Sequence, residues 1–209
     1  MNSNPDYIGL SYQFLNLAKE AINEMEKQGN RNFILSDAKE DKDDSWSEYE
    51  NNTRWNDMNV GVPILFNFYH GLELMMKGLT LEVSKDVKLD HNIKSIYKNL
   101  ASMQDGISHE LISLFSKYIG EDSPFQQFFK DNDSSPKDFF NVLKYPESKK
   151  KTRFSFSTIR SNEDNGLKRF IEMISIIFEL KLLDGTQSDY EYNTRYNPVQ
   201  VCASNYRSN

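Results

Sequence analysis

The stretch from Val62 to Val83, VPILFNFYHGLELMMKGLTLEV, constrains the fold more than any other part of the chain. It is long enough to cross a bilayer, yet Asn67, His70, Glu73 and Lys77 interrupt it, and charges at that depth in lipid are costly. It therefore reads as a core helix of a soluble protein. At 100° per residue, Phe68, Leu72, Met75, Met76, Leu79 and Val83 share an arc of roughly 100°. Phe66, Leu74 and Leu81 lie on the other side, around His70, Glu73 and Lys77. A helix apolar on most of its circumference is expected to be central, with partners on two sides. Gly71 and Gly78, at the edge of the stripe, offer a place where a neighbouring helix can come close. Glu73 and Lys77 are spaced i,i+4 in the favourable order, and His70 precedes Glu73 by one turn. The expectation is an ion pair on the helix surface beside a packed histidine. The alternative is a half-buried polar patch that binds a ligand or partner.

Other helices follow from the same periodicity. Ile8, Leu15, Ala18, Ile22 and Met25 predict a first helix from near Asp6 to a stop at Gly29. The long helix should begin near Asn56, with Pro63 tolerated early in it. Ile93, Ile96, Tyr97, Leu100 and Met103 mark a third, with Asp90 as candidate N-cap and His91 in its first turn. A fourth runs from Ile107 through Tyr118 to Gly120, with His109 and Glu110 near its start. The segments SPFQQFF and SPKDFFNVL each predict a Ser cap, a Pro in the first turn and a short helix. A last helix is expected over about 165–183. Phe154 and Phe156 alternate in a loop-like stretch and suggest a short extended piece.

Ser36 to Asn52 carries seven acids against two lysines and no hydrophobic period, so a solvated acidic loop is expected there. Residues 185–209 are polar and tyrosine-rich, and read as a loosely attached tail behind a single domain over 1–184. No strand run is long enough to build a sheet. The fold class is all-α, a bundle of about five to seven helices.

With 25 basic and 31 acidic side chains, the net charge of -6 argues against indiscriminate binding to nucleic acid or anionic membrane. A single cysteine, Cys202, excludes an internal disulfide and suits a reducing, cytoplasmic setting. The beginning of the chain does not read as a signal peptide. Three histidines without a His-x-x-x-His or Cys-x-x-Cys pair leave metal binding unsupported, and no phosphate-binding glycine loop or nucleophile elbow occurs. No cofactor and no catalytic residue is assigned.

One run departs from the acidic background. Lys144, Lys149, Lys150, Lys151, Arg153 and Arg160 face a single acid, Glu147, with Tyr145, Phe154 and Phe156 interleaved. Cations track phosphates and aromatic faces stack on bases, so this run is the candidate site for RNA or a nucleotide. A solvated loop is the plainer reading. The candidate polar patch is His70, Glu73, Lys77 and His91.

Two stretches together, YHGLELMMKGLTLEV and DHNIKSIYKNL, resemble the paired signature of the HEPN superfamily, a helix of the form H-x-x-E-x-x-x-K-x-L and then an H-D-L-like helix start. The matching residues are His70, Glu73, Lys77 and Leu79, then His91, Asn92 and Ile93. LKYP, with Lys144 where arginine is usual, is similar to a further R-Y-P segment of some members. The resemblance spans roughly residues 55 to 180. It implies an antiparallel helical bundle, a homodimer or protein partner, and a place in phage-defence or toxin–antitoxin systems. Nuclease members carry an arginine followed four to six residues later by a histidine. All three histidines here precede Arg153, and neither Arg31 nor Arg54 has one at that distance. The expectation is a non-catalytic binding or interaction module. A diverged ribonuclease, or a nucleotide-binding accessory of a nucleotidyltransferase, is the alternative.

Overall fold

A computed structural model describes residues 6–31, 42–84, 90–103, 107–160 and 165–183. The protein is an all-α bundle. Its helices are α1 (Tyr7–Lys27), α2 (Lys42–Thr53), α3 (Asp57–Val83), α4 (Ile93–Ala101), α5 (His109–Ile119), α6 (Gln126–Asp131), α7 (Phe139–Lys144) and α8 (Asn165–Leu183). Among the described residues, the only pairing of extended backbone is one antiparallel bridge, Glu147 to Arg153.

Helix α3 is the axis. Every residue from Gly71 to Thr80 is buried, with α1 packed along one side and α4 and α7 closing others. Helix α8 lies against α1, and α5 fits between α4 and α8. The α1–α3 contact is close because of two glycines. A Cβ on Gly71 would stand 2.7 Å from Leu15 Cγ and 3.3 Å from the Ser11 carbonyl oxygen. One on Gly78 would overlap Ile8 Cγ1. The core over this contact is aromatic: Phe68, Tyr69, Phe115, Tyr118 and Phe129 are buried, and Phe68 meets Tyr118 edge-on at 4.7 Å. The Tyr69 hydroxyl donates to the Tyr118 carbonyl at 3.1 Å and lies 3.2 Å from Ser123 Oγ, so the buried phenol is satisfied.

The helix ends follow their capping chemistry. Asp6 accepts from Gly9 N, Asn56 from Asn59 N and Ser108 from Leu111 N. After α1 the chain turns through Gly29 and Asn30, both at positive φ. Asn30 then clamps the start of α3: its amide donates to Asp57 Oδ2 at 3.1 Å and its carbonyl accepts from Asp57 N at 2.7 Å.

Several expectations need correction. The acidic stretch is not a loop where it is described, since Lys42 to Thr53 is helical; residues 36–41 lie outside the described residues, as does the 185–209 tail. Helix α2 has no apolar stripe, and local contacts order it instead: Trp46 Nε1 donates to Glu50 at 2.9 Å and Trp46 stacks on Tyr49. Asp90 does not cap α4. Asn92 does, accepting from Lys94 N and Ser95 N, while Asp90 takes the His91 amide, which leaves His91 ahead of the helix. Ser123 does not cap α6 either; Pro124 and Phe125 form a turn and the helix starts at Gln126. Ser135 precedes a 3-10 turn, Pro136 to Asp138, that feeds α7 without a side-chain cap.

A branched side chain at either close-contact glycine must force α1 away from α3. Gly78→Val is expected to lower stability by about 2 kcal/mol and the melting midpoint by several degrees. Thermal unfolding at unchanged midpoint would show that the two helices do not touch there.

Candidate functional site

The polar residues of α3 are held where the helix is otherwise enclosed. Glu73 and Lys77 side chains are only 3% and 6% exposed, and Lys77 Nζ donates to Glu73 Oε1 at 2.5 Å. This overturns the expectation of a surface pair. The periodicity placed both charges on one face correctly, but that face is enclosed in the bundle rather than open to solvent. His91, carried by the connector into α4, brings Nδ1 to 3.3 Å from both Lys77 Nζ and Glu73 Oε1. Its ring otherwise stands in solvent, 95% exposed, so it neither packs nor caps α4. His70 completes the group from one turn earlier, its Nδ1 3.6 Å from Glu73 Oε2. That distance is long for a hydrogen bond, and the buried nitrogen has no closer partner among the described residues. Of the four patch residues read from the sequence, His70, Lys77 and His91 therefore converge on the carboxylate of the fourth, Glu73.

The electrostatics follow from that geometry. Burial alone pushes the Glu73 carboxyl up, but the His70 ring and the Lys77 ammonium more than offset it, and the group is held below the usual carboxylate range. His91 Nδ1 can accept from Lys77 or, when protonated, donate to Glu73. Lys77 Nζ already fills the position between Glu73 and His91 that a bound cation would take. A carboxylate committed to a buried ammonium is a poor general base, because leaving that partner exposes an uncompensated charge. What the geometry shows is a buried ion pair that joins the α4 connector to α3 through His91.

From His70 a line of rings runs to the basic segment. His70 meets Phe14 of α1 edge-on at 4.5 Å and stacks on Phe66 at 5.8 Å. Phe66 in turn lies 5.8 Å from Phe140 of α7. Lys144 Nζ sits 4.5 Å from the Phe140 ring centre and 5.3 Å from that of Tyr145. The chain then forms a tight hairpin closed by the Glu147–Arg153 bridge, with Lys151 at φ +65° in its turn. Lys144, Lys149, Lys150, Lys151 and Arg153 are all exposed, and Lys151 lies 3.7 Å from Glu147. Arg160 is separate: it is half-buried beyond Ile159, at the foot of the segment.

Two rings of the basic run are less open than their interleaving with cations suggests. Phe154 and Phe156 do alternate with exposed Ser155, but both pack against the core, Phe156 stacking on Phe128 at 6.1 Å. Each is only partly open to solvent. Phe140, 40% exposed, is the more open ring. The signal was its spacing, four residues before Lys144 on a short helix, where a cation reaches the ring face.

Comparison with family models, curated proteins and solved structures finds no match to this chain.

Removing one member of a buried pair strands the other. Lys77→Met should cost about 3 kcal/mol, and Lys77→Met with Glu73→Leu should recover most of it. Urea titrations of the parent, Lys77→Met, Glu73→Leu and the double variant measure the coupling; additive losses would contradict a shared buried pair. Because the folded-state carboxyl is held low, its contribution is present above the ordinary carboxylate range and is lost as pH falls through the lowered value. Glu73→Gln should therefore flatten the acid limb of stability against pH.

Proposed function

We propose that the chain is a non-catalytic, HEPN-like binding module whose ligand is RNA. The observation that carries this reading is the exposed hairpin of Lys149, Lys150, Lys151 and Arg153, continuous through Lys144 with half-exposed aromatic rings. Exposed cations on a short turn can follow a phosphate backbone, and the rings beside them supply apolar faces. The polar cluster supports the non-catalytic part of the reading, because its carboxylate and its ammonium are spent on each other. With the resemblance comes a homodimer or protein partner and a place in phage defence or a toxin–antitoxin pair, which belong to the same proposal.

One observation favours the alternative of a diverged ribonuclease: the His91 ring is open to solvent while its Nδ1 contacts Glu73. Imidazole in that position could serve as an acid or base. Incubation with RNA separates the two readings. The RNA is expected to be bound and recovered intact; cleavage that His91→Ala abolishes would establish the ribonuclease. Replacing Lys149, Lys150 and Lys151 together by alanine should flatten the dependence of log affinity on log salt by roughly 2, at about 0.7 per phosphate contact. An unchanged slope would place the ligand elsewhere.

A further inference from the structure

We infer that Phe140 and Tyr145 form a stacking platform for the bases of single-stranded RNA, with Lys144 between them as the group that passes from ring to phosphate. This deepens the RNA-binding reading and rests on it. The two rings are 40% and 48% exposed, among the largest open aromatic faces of the bundle. Phe140 is fixed from behind by Phe139, edge-on at 6.2 Å, and by Phe66 at 5.8 Å, and Phe139 itself is fully buried. A ring held this way is ordered before a ligand arrives, so stacking on it costs little further freedom.

The Lys144 ammonium lies over both rings, 4.5 and 5.3 Å from their centres. An exposed cation–π contact is weaker than a base stacked on the same ring. An arriving base can therefore displace the ammonium from the ring face, and the lysine regains a partner in the phosphate attached to that base. The next cations along the chain, Lys149 to Lys151 and Arg153, are placed to take the phosphates that follow. Exposed aromatics beside several cations and one carboxylate, Glu147, complement a strand that carries both flat apolar faces and negative charge. A duplex hides its base faces in the stack, so the platform selects unpaired strands. Stacking is indifferent to base identity, so sequence preference should be slight.

The test uses the full chain with an unstructured RNA bearing 2-aminopurine, whose emission is quenched on stacking, and reads affinity by anisotropy. Phe140→Leu and Tyr145→Leu should each weaken binding about tenfold and relieve the quenching, with the salt slope unchanged. Phe140→Tyr and Tyr145→Phe, which keep an aromatic face, should bind and quench as the parent does, which separates loss of stacking from loss of fold. Alanine at Lys149, Lys150 and Lys151 should instead reduce the salt slope and leave quenching in the residual complex. If the leucine variants bind and quench like the parent while the lysine variants lose affinity, the platform is wrong and the RNA-binding reading stands. No binding by the parent protein sinks both. Duplex RNA bound as tightly as the single strand, or the matching DNA strand bound more tightly, would overturn the ligand assignment.

Discussion

Helix α3 carries a carboxylate and an ammonium through a stretch where every residue from Gly71 to Thr80 is buried. Much of the rest depends on this. Taking each ion out of water costs several kcal/mol, and the cost is offset only where the partner is fixed and the remaining lone pairs are served. Lys77 fixes Glu73 at one oxygen; His91 reaches the same oxygen from the α4 connector, and His70 approaches the other. The pair thus ties a chain segment outside the bundle to its axis. The glycines at 71 and 78 make the enclosure possible, since α1 can only lie this close where α3 has no side chain.

The same enclosure separates two sets of charges. Glu73 and Lys77 of α3 are used on each other, whereas Lys144, Lys149, Lys150, Lys151 and Arg153, at the end of α7 and on the hairpin beyond it, are open to solvent. A line of rings, Phe14, His70, Phe66 and Phe140, joins the two regions. Its inner end is packed and its outer end is open. The proposed RNA contact uses the outer end, with the packed inner end behind it.

Much of the bundle was legible in the sequence. The apolar periods of α1, α3, α5 and α8, the helix starts near Asp6 and Asn56 and the stop at Gly29 are short-range signals, and the chain obeys them. Helix α2 was missed because its order comes from contacts such as Trp46 to Glu50, which leave no hydrophobic period. The cap of α4 is Asn92 and not Asp90, two residues earlier, because Asn92 reaches the Lys94 and Ser95 amides while Asp90 reaches only that of His91. The convergence of His70, Glu73, Lys77 and His91 was visible as a candidate group, but their burial was not, because it is set by which helices flank α3. The basic run was equally plain, whereas the direction of each ring was not: Phe154 and Phe156 turn inward and Phe140 outward.

The central claim is that RNA meets this protein on the outer end of that ring line and on the hairpin, away from α5 and α8. Nuclear magnetic resonance of isotope-labelled protein, titrated with an unstructured RNA, tests it most directly. The account predicts shift changes in the backbone amides of residues 144–153 and in the ring protons of Phe140 and Tyr145, with the amides of α5 and α8 unmoved. Changes concentrated on α5 or α8, or none at saturating RNA, would contradict it.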